Sequence, residues 1–261
     1  MLAGSRLYTA VEVVPRTGST NADLLAAART GAAAGYVLVA EEQTAGRGRL
    51  DRKWQSEPGA ALTFSVLVRP TSVPSARRGW LPLLAGVAVA TALRAVTGVE
   101  VSLKWPNDVL AGPGSAPRQG GTSAAKLAGI LAEQAGDAVI LGVGLNVSAT
   151  RDELPSGQAT SLWLAGAAGL DRQAILVAVL REIERWYLRW SHGPPPGDPD
   201  ASGLRAAYLE ACSTIGRDVR VELPGGSVLA GRAGGVDAVG RLLVRAGGVH
   251  AVSAGDVVHV R

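Results

Sequence analysis

The sequence predicts an α/β (α+β) chain, with a mixed sheet backed by helices and a small all-β unit at its C-terminal end. Three observations carry this. Short apolar runs, at residues 36–41 and 62–68, alternate with longer amphipathic patterns at residues 81–96 and 171–190. From Gly216 onward the pattern changes to closely spaced β runs divided by glycine-bearing turns. With 261 residues, 47% of them hydrophobic, the chain can bury a large core, and its length suits one big domain plus a small one. The expected division is residues 1–215 and 216–261.

Each element has a local reason. Ser19 or Thr20 caps a helix that begins near Asn21, runs through Leu24 and Leu25 to Arg29, and stops at Gly31. Residues 36–41 read as a buried strand, and residues 62–68 alternate well enough for a second. Residues 81–96 have helical periodicity and end at Gly98. Val101–Lys104 and Asp108–Ala111 read as strands around a turn at Pro106 and Asn107. Residues 112–124, rich in Gly, Pro, Ser and Ala, read as a flexible loop. Residues 126–133 and 138–147 pair as neighbouring strands through Gly136 and Asp137. Asp171 caps the longest amphipathic helix, which runs to Trp190 before the breaker at residues 192–197. The runs 219–223, 227–231, 242–244, 249–253 and 257–260 suggest a small barrel.

Composition excludes several classes. The 26 Lys and Arg against 22 Asp and Glu leave only +4, too diffuse to argue for nucleic acid. A single cysteine, Cys212, rules out an internal disulfide and fits a reducing compartment. His192, His250 and His259 show no metal-ligand spacing. The longest apolar stretch, residues 81–93, is too short to span a bilayer and contains Pro82 and Gly86. No basic segment leads into an apolar core at the N-terminus, so the expected location is the cytoplasm, with no membrane partner.

The most informative run is residues 41–54. It sets Arg47, Arg49, Arg52 and Lys53 among Gly46 and Gly48 and closes on Trp54. Glycine lets backbone N–H groups converge on an anion, arginine grips phosphate or carboxylate oxygens two at a time, and an indole can stack on a base. Taken alone, the run could equally be a solvated basic turn. Ser19-Thr20-Asn21 precedes it. Lys104-Trp105-Pro106-Asn107-Asp108, then Lys126 with Gly129, and Gly142-Val143-Gly144-Leu145-Asn146 follow. In that order and spacing the set resembles the biotin–protein ligase family, from about Val14 to Arg261.

The resemblance implies a class II synthetase-like domain ending in an SH3-like barrel. It implies activation of biotin by ATP, with Mg²⁺, to biotinyl-5′-AMP, and transfer to a lysine on the biotin carboxyl carrier domain of acyl-CoA carboxylases. Two anions must meet, so fixed positive charge is the chief demand and no side-chain nucleophile is needed. Ser19, Thr20, Asn21 and Gln43 match the biotin pocket; the first three alone could be merely a helix cap. Arg47, Gly48 and Arg49 match the loop that folds over the adenylate, Arg52 a phosphate contact, and Trp54 the adenine-stacking indole. Lys126 matches the lysine between the biotin carboxyl and the reacting phosphate, with Gly129 beside it. Lys104, Asn107 and Asp108 match nucleotide and metal-side residues, Asp108 being the candidate to receive the acceptor lysine's proton. Asn146 matches a nucleotide-site residue. No residue is assigned to the metal. Asp51 stands where the family usually has glycine. The cation-rich loop is expected to be mobile until the adenylate orders it.

Rival readings remain open. Lipoate–protein ligases share the fold and chemistry but lack the arginine-rich pattern. A non-enzymatic biotin-responsive binding protein is a second. A DNA-binding biotin sensor would need an N-terminal helix-turn-helix, and thirteen residues before Val14 are too few, so no specific DNA is expected. An RNA-binding module would need aromatics interleaved on a sheet face. The expected state is a monomer or weak homodimer.

Overall fold

The computed structural model describes residues 4–50, 52–112 and 124–260. Asp51, which stands where the family usually has glycine, and most of the 112–124 loop lie outside the described residues.

A seven-stranded mixed sheet forms the larger part. Its strands are β1 (Ala10–Val14), β2 (Tyr36–Ala40), β3 (Ala61–Val68), β4 (Val101–Lys104), β5 (Asp108–Ala111), β6 (Ala125–Ala135) and β7 (Ala138–Asn146). They lie in the order β1-β2-β3-β7-β6-β5-β4. Only β1 and β2 run parallel; the other neighbours are antiparallel.

Two helices, α1 (Thr20–Arg29) and α2 (Leu81–Thr97), cover opposite faces. The period-2 alternation of the strands sends Leu38, Leu67 and Ile140 toward Leu24 and Leu25 of α1. Val37, Val39, Val66, Leu141 and Val143 join the main core with α2. Helix α2 is apolar nearly all round because α3 (Arg172–His192) and α4 (Leu204–Ala211) pack outside it. With the 3₁₀ turn Ser75–Trp80 it forms a 23-residue run long and apolar enough to cross a membrane by length and composition. That corrects the expectation drawn from residues 81–93 alone. The run serves as a core helix here, with 67% of its most apolar stretch buried.

The C-terminal part is a five-stranded antiparallel sheet: β8 (Asp218–Glu222), β9 (Val228–Val236), β10 (Leu242–Arg245), β11 (Val249–Val252) and β12 (Asp256–His259), in the order β11-β10-β9-β8-β12. Two of its contacts with the larger part are polar pairs, Arg52 with Asp256 of β12 and the Trp105 indole with the β9–β10 turn. Trp105 Nε1 donates to Gly240 O at 3.2 Å, and Trp105 N donates to Thr214 Oγ1 at 3.2 Å. Gly240 has φ +92° and its Cα faces Gly79 O so closely that a Cβ would sit 2.8 Å from it.

Candidate active site

A cavity of about 300 Å³ opens between the N-terminus of α1, the 46–54 loop, the β4–β5 turn, the glycines of β6 and β7, and the start of β12. Each wall has a sequence reason. Ser19 caps α1 with backbone in the extended region, and its Oγ accepts from Ala22 N at 3.5 Å. The cap places Thr20 and Asn21 in the buried first turn.

Their polar atoms are joined in one network. Gln43 Oε1 accepts from Thr20 N at 2.8 Å and from Thr20 Oγ1 at 3.1 Å. Thr20 Oγ1 lies 2.7 Å from Ser65 Oγ, and Ser65 Oγ donates to Asn21 Oδ1 at 2.6 Å. Buried polar groups must be paired in this way, or they cost free energy.

The floor is bare backbone. Gly129 of β6 pairs directly with Gly144 of β7, and the Trp54 indole lies across both. A Cβ on Gly144 would stand 2.4 Å from Trp54 Cε2, and one on Gly142 would stand 2.1 Å from Asn21 Oδ1. At both positions it is close approach, not dihedral angle, that a side chain would offend.

The other end is cationic. Lys126 Nζ is 2.6 Å from Asp108 Oδ1. Asn107 anchors the β4–β5 turn on β6, its Nδ2 donating to Ile130 O at 3.0 Å and its O accepting from Ile130 N at 2.9 Å. Arg49 Nη1 donates to Asn107 Oδ1 at 3.3 Å. Burial holds the Arg49 guanidinium below its ordinary pKa, with Asp108 opposing and Arg52 adding to the shift. Burial also lowers Lys104, again opposed by Asp108 and reinforced by Lys126 and Arg52.

The loop itself is a small hairpin: Gly48 N donates to Arg52 O at 2.6 Å, and Trp54 N to Gly46 O at 2.9 Å. Its three arginines are held by three different elements, Arg47 by Glu133, Arg49 by Asn107 and Arg52 by Asp256. Among the described residues of the loop, none pairs by side chain with these arginines. The distant groups supply their partners.

Residues 13–147 match the model of the biotin/lipoate A/B protein ligase family, and residues 214–260 match that of the biotin protein ligase C-terminal domain. A biotin–[acetyl-CoA-carboxylase] ligase of Mycobacterium tuberculosis is 48% identical over 96% of this chain and 89% of that protein. The chain belongs to the biotin/lipoate protein ligase family. The bifunctional ligase/repressor BirA of Bacillus subtilis is 30% identical over 88% of this chain and 68% of its own length. Among solved structures, a biotin protein ligase from Aquifex aeolicus in complex with biotin and ATP superposes with a TM-score of 0.77 at 28% identity, covering 97% of this chain and all of that one.

Against this family background, the cavity gathers Ser19, Thr20, Asn21, Gln43, Arg47, Gly48, Arg49, Arg52, Trp54, Lys104, Asn107, Asp108, Lys126 and Gly129. Asn146 stands apart. It is buried at the end of β7, and its Nδ2 donates to Thr160 O at 2.9 Å, a carbonyl that would otherwise lack this donor. The structure adds Gln158, Asp256, Val257 and Val258 to the wall. No local signal marked them: Asp256 opens an ordinary apolar β run, and its partner Arg52 is 204 residues away in sequence.

Proposed function

We propose that this protein activates biotin with ATP and transfers it to one lysine of the biotin carboxyl carrier domain of an acyl-CoA carboxylase. The observation that carries the reading is a single cavity with two ends. One end is a closed polar network from Gln43 to Asn21, suited to a cyclic urea. The other collects Arg49, Arg52, Lys104 and Lys126. A carboxylate tail lying along the Gly129–Gly144 floor would bring its oxygen to Lys126.

The first step joins that oxygen to the α-phosphorus of ATP and breaks the bond to pyrophosphate. Lys126 would lie against both approaching anions, and Arg49, Arg52 and Lys104 would balance charge on the phosphates. In the second step the acceptor amine attacks the acyl carbon, AMP departs, and the amine's proton passes to Asp108. The Trp54 indole would roof the nucleotide base.

Among the described residues, no three His, Cys, Asp or Glu side chains gather to cage a metal. An ion held mainly by substrate phosphates, as magnesium is, needs only one or two protein carboxylates, and Asp108 in the cavity wall is the residue we assign to share it. When bound it would offset charge on the departing pyrophosphate. Residues 216–261 would act as a separate domain that completes the nucleotide end.

The test is direct. Purified protein, ATP, Mg²⁺, biotin and a carrier domain should give a band on a streptavidin blot that depends on the acceptor lysine. No label, or preferential attachment of lipoate in a matched reaction, would overturn the assignment.

A further inference from the structure

Glu133 belongs to none of the motifs legible in the sequence, yet it touches two of them. It lies on β6, and its cross-strand partner is Ile140; Gly129 and Leu131 share its face of the sheet. Its Oε2 accepts from Asn21 Nδ2 at 2.8 Å and from Arg47 Nη2 at 3.1 Å, while Oε1 lies 2.9 Å from the same Arg47 nitrogen. One carboxylate therefore holds both a buried residue of the α1 pocket and the first arginine of the loop.

The consequence for Asn21 is orientation. An amide side chain can present either its oxygen or its nitrogen to a given neighbour. Here Oδ1 accepts from Ser65 Oγ at 2.6 Å, and the amide hydrogens go to Glu133 and to Leu131 O at 3.3 Å. Flipping the amide would set its oxygen against the Glu133 carboxylate, acceptor facing acceptor. Glu133, the nearer of the two acceptors and the charged one, thus does most to set which atom of Asn21 faces the cavity. For Arg47, half exposed in a loop crowded with cations, the same carboxylate is its one ionic partner among the described residues.

We propose that Glu133 is a positioning residue that couples the biotin pocket to closure of the arginine loop. The proposal rests on the reading of the pocket as the biotin site. A ligand that bonds to Asn21 strengthens a geometry in which Glu133 is already directed at Arg47, so filling the pocket favours the seated loop. Coupling of this kind is reciprocal: whatever the Glu133–Arg47 pair adds to biotin affinity, biotin must return as added hold on the loop.

Two variants separate the functions of the carboxylate. Glu133→Gln keeps an amide oxygen for Asn21 and removes the charge that holds Arg47; Glu133→Ala removes both. The readouts are the biotin Kd by calorimetry without ATP, and the rate of trypsin cleavage after Arg47 with and without saturating biotin. In the wild-type protein biotin should slow that cleavage. In Glu133→Gln the Kd should stay within about threefold of wild type, while the slowing by biotin falls below half its wild-type extent. In Glu133→Ala the Kd should rise about tenfold or more, with cleavage fast under both conditions. The near-isosteric Gln variant carries the test if the Ala variant proves unstable. Biotin slowing cleavage in Glu133→Gln as strongly as in wild type would overturn the coupling. A wild-type protein that binds no biotin would instead sink the reading of the pocket, a result these two readouts keep distinct.

Discussion

Adding a single methyl group to either β7 glycine should have opposite consequences, because the two would strike neighbours of unequal freedom. In Gly144→Ala the new Cβ would lie 2.4 Å from Trp54 Cε2 and 2.7 Å from Cζ2. Restoring ordinary carbon contact of about 3.5 Å requires the indole to lift by about an ångström. Trp54 is only half buried, on a surface loop, so the ring can move at little cost to the fold. The expected result is a melting temperature within about 2 °C of wild type and adenylate binding weakened by about 1–2 kcal/mol, a factor of about 5–30. In Gly142→Ala the Cβ would lie 2.1 Å from Asn21 Oδ1. Asn21 is 4% exposed and tied to Ser65, Glu133 and Leu131, so it cannot yield without breaking buried hydrogen bonds. One or two such bonds cost about 2–3 kcal/mol, or a fall of about 4–12 °C for a chain of this size. Differential scanning calorimetry with titration of a non-hydrolysable adenylate analogue reads both quantities. Equal loss of stability in the two variants, or unimpaired binding by Gly144→Ala, would refute the account of the floor.

Lys126→Ala should remain folded and lose adenylate formation by more than about 3 kcal/mol, because water cannot replace a fixed cation between two anions; retention of a tenth of the wild-type rate in a pyrophosphate-release assay would contradict this. Trp54→Ala should weaken adenylate binding by about 1–3 kcal/mol while biotin alone binds less affected, and equal losses for both ligands in calorimetry would make Trp54 a packing residue only. Burial, then the charges of Lys104 and Arg217, hold His259 down at about pKa 4, below its ordinary 6.5, with its Nε2 3.1 Å from Thr214 Oγ1. The unfolded chain therefore binds this proton first, so the contribution of His259 to stability is intact above about pH 6.5 and is lost as pH falls toward 4. His259→Gln should show a smaller drop in melting temperature than wild type between pH 7 and 4.5, and parallel curves would remove His259 as a source of acid sensitivity.

Most elements were legible because their signals are local. The Ser19 and Asp171 caps, the Gly98 stop and the glycine turns after residue 216 each act within a few residues of the structure they set. The misses have local causes too. β1 is an edge strand whose residues are mostly exposed, so its apolar pattern pointed to no core. α4 starts after Gly203 in a left-handed conformation with no capping side chain, leaving no start signal to read. At the site, residue types named the charge and the donors but not their partners. Glu133 meets Arg47 across 86 positions and Asp256 meets Arg52 across 204, separations over which no periodicity operates. Asn146 shows the converse: a motif position outside the cavity lining, whose Nδ2 donates to the backbone of a later segment.

The placement of β12 has a consequence for how this protein comes into being. It follows every other described element in chain order, yet Asp256, Val257 and Val258 form part of the cavity wall and Asp256 holds Arg52. On the ribosome, the arginine loop emerges some two hundred residues before its last partner. All seven strands of the larger sheet and the residues of the pocket at α1 are synthesised before β12. Until β12 pairs with β8 the cavity wall lacks three of its residues and Arg52 lacks its carboxylate, so the site is completed only late in synthesis.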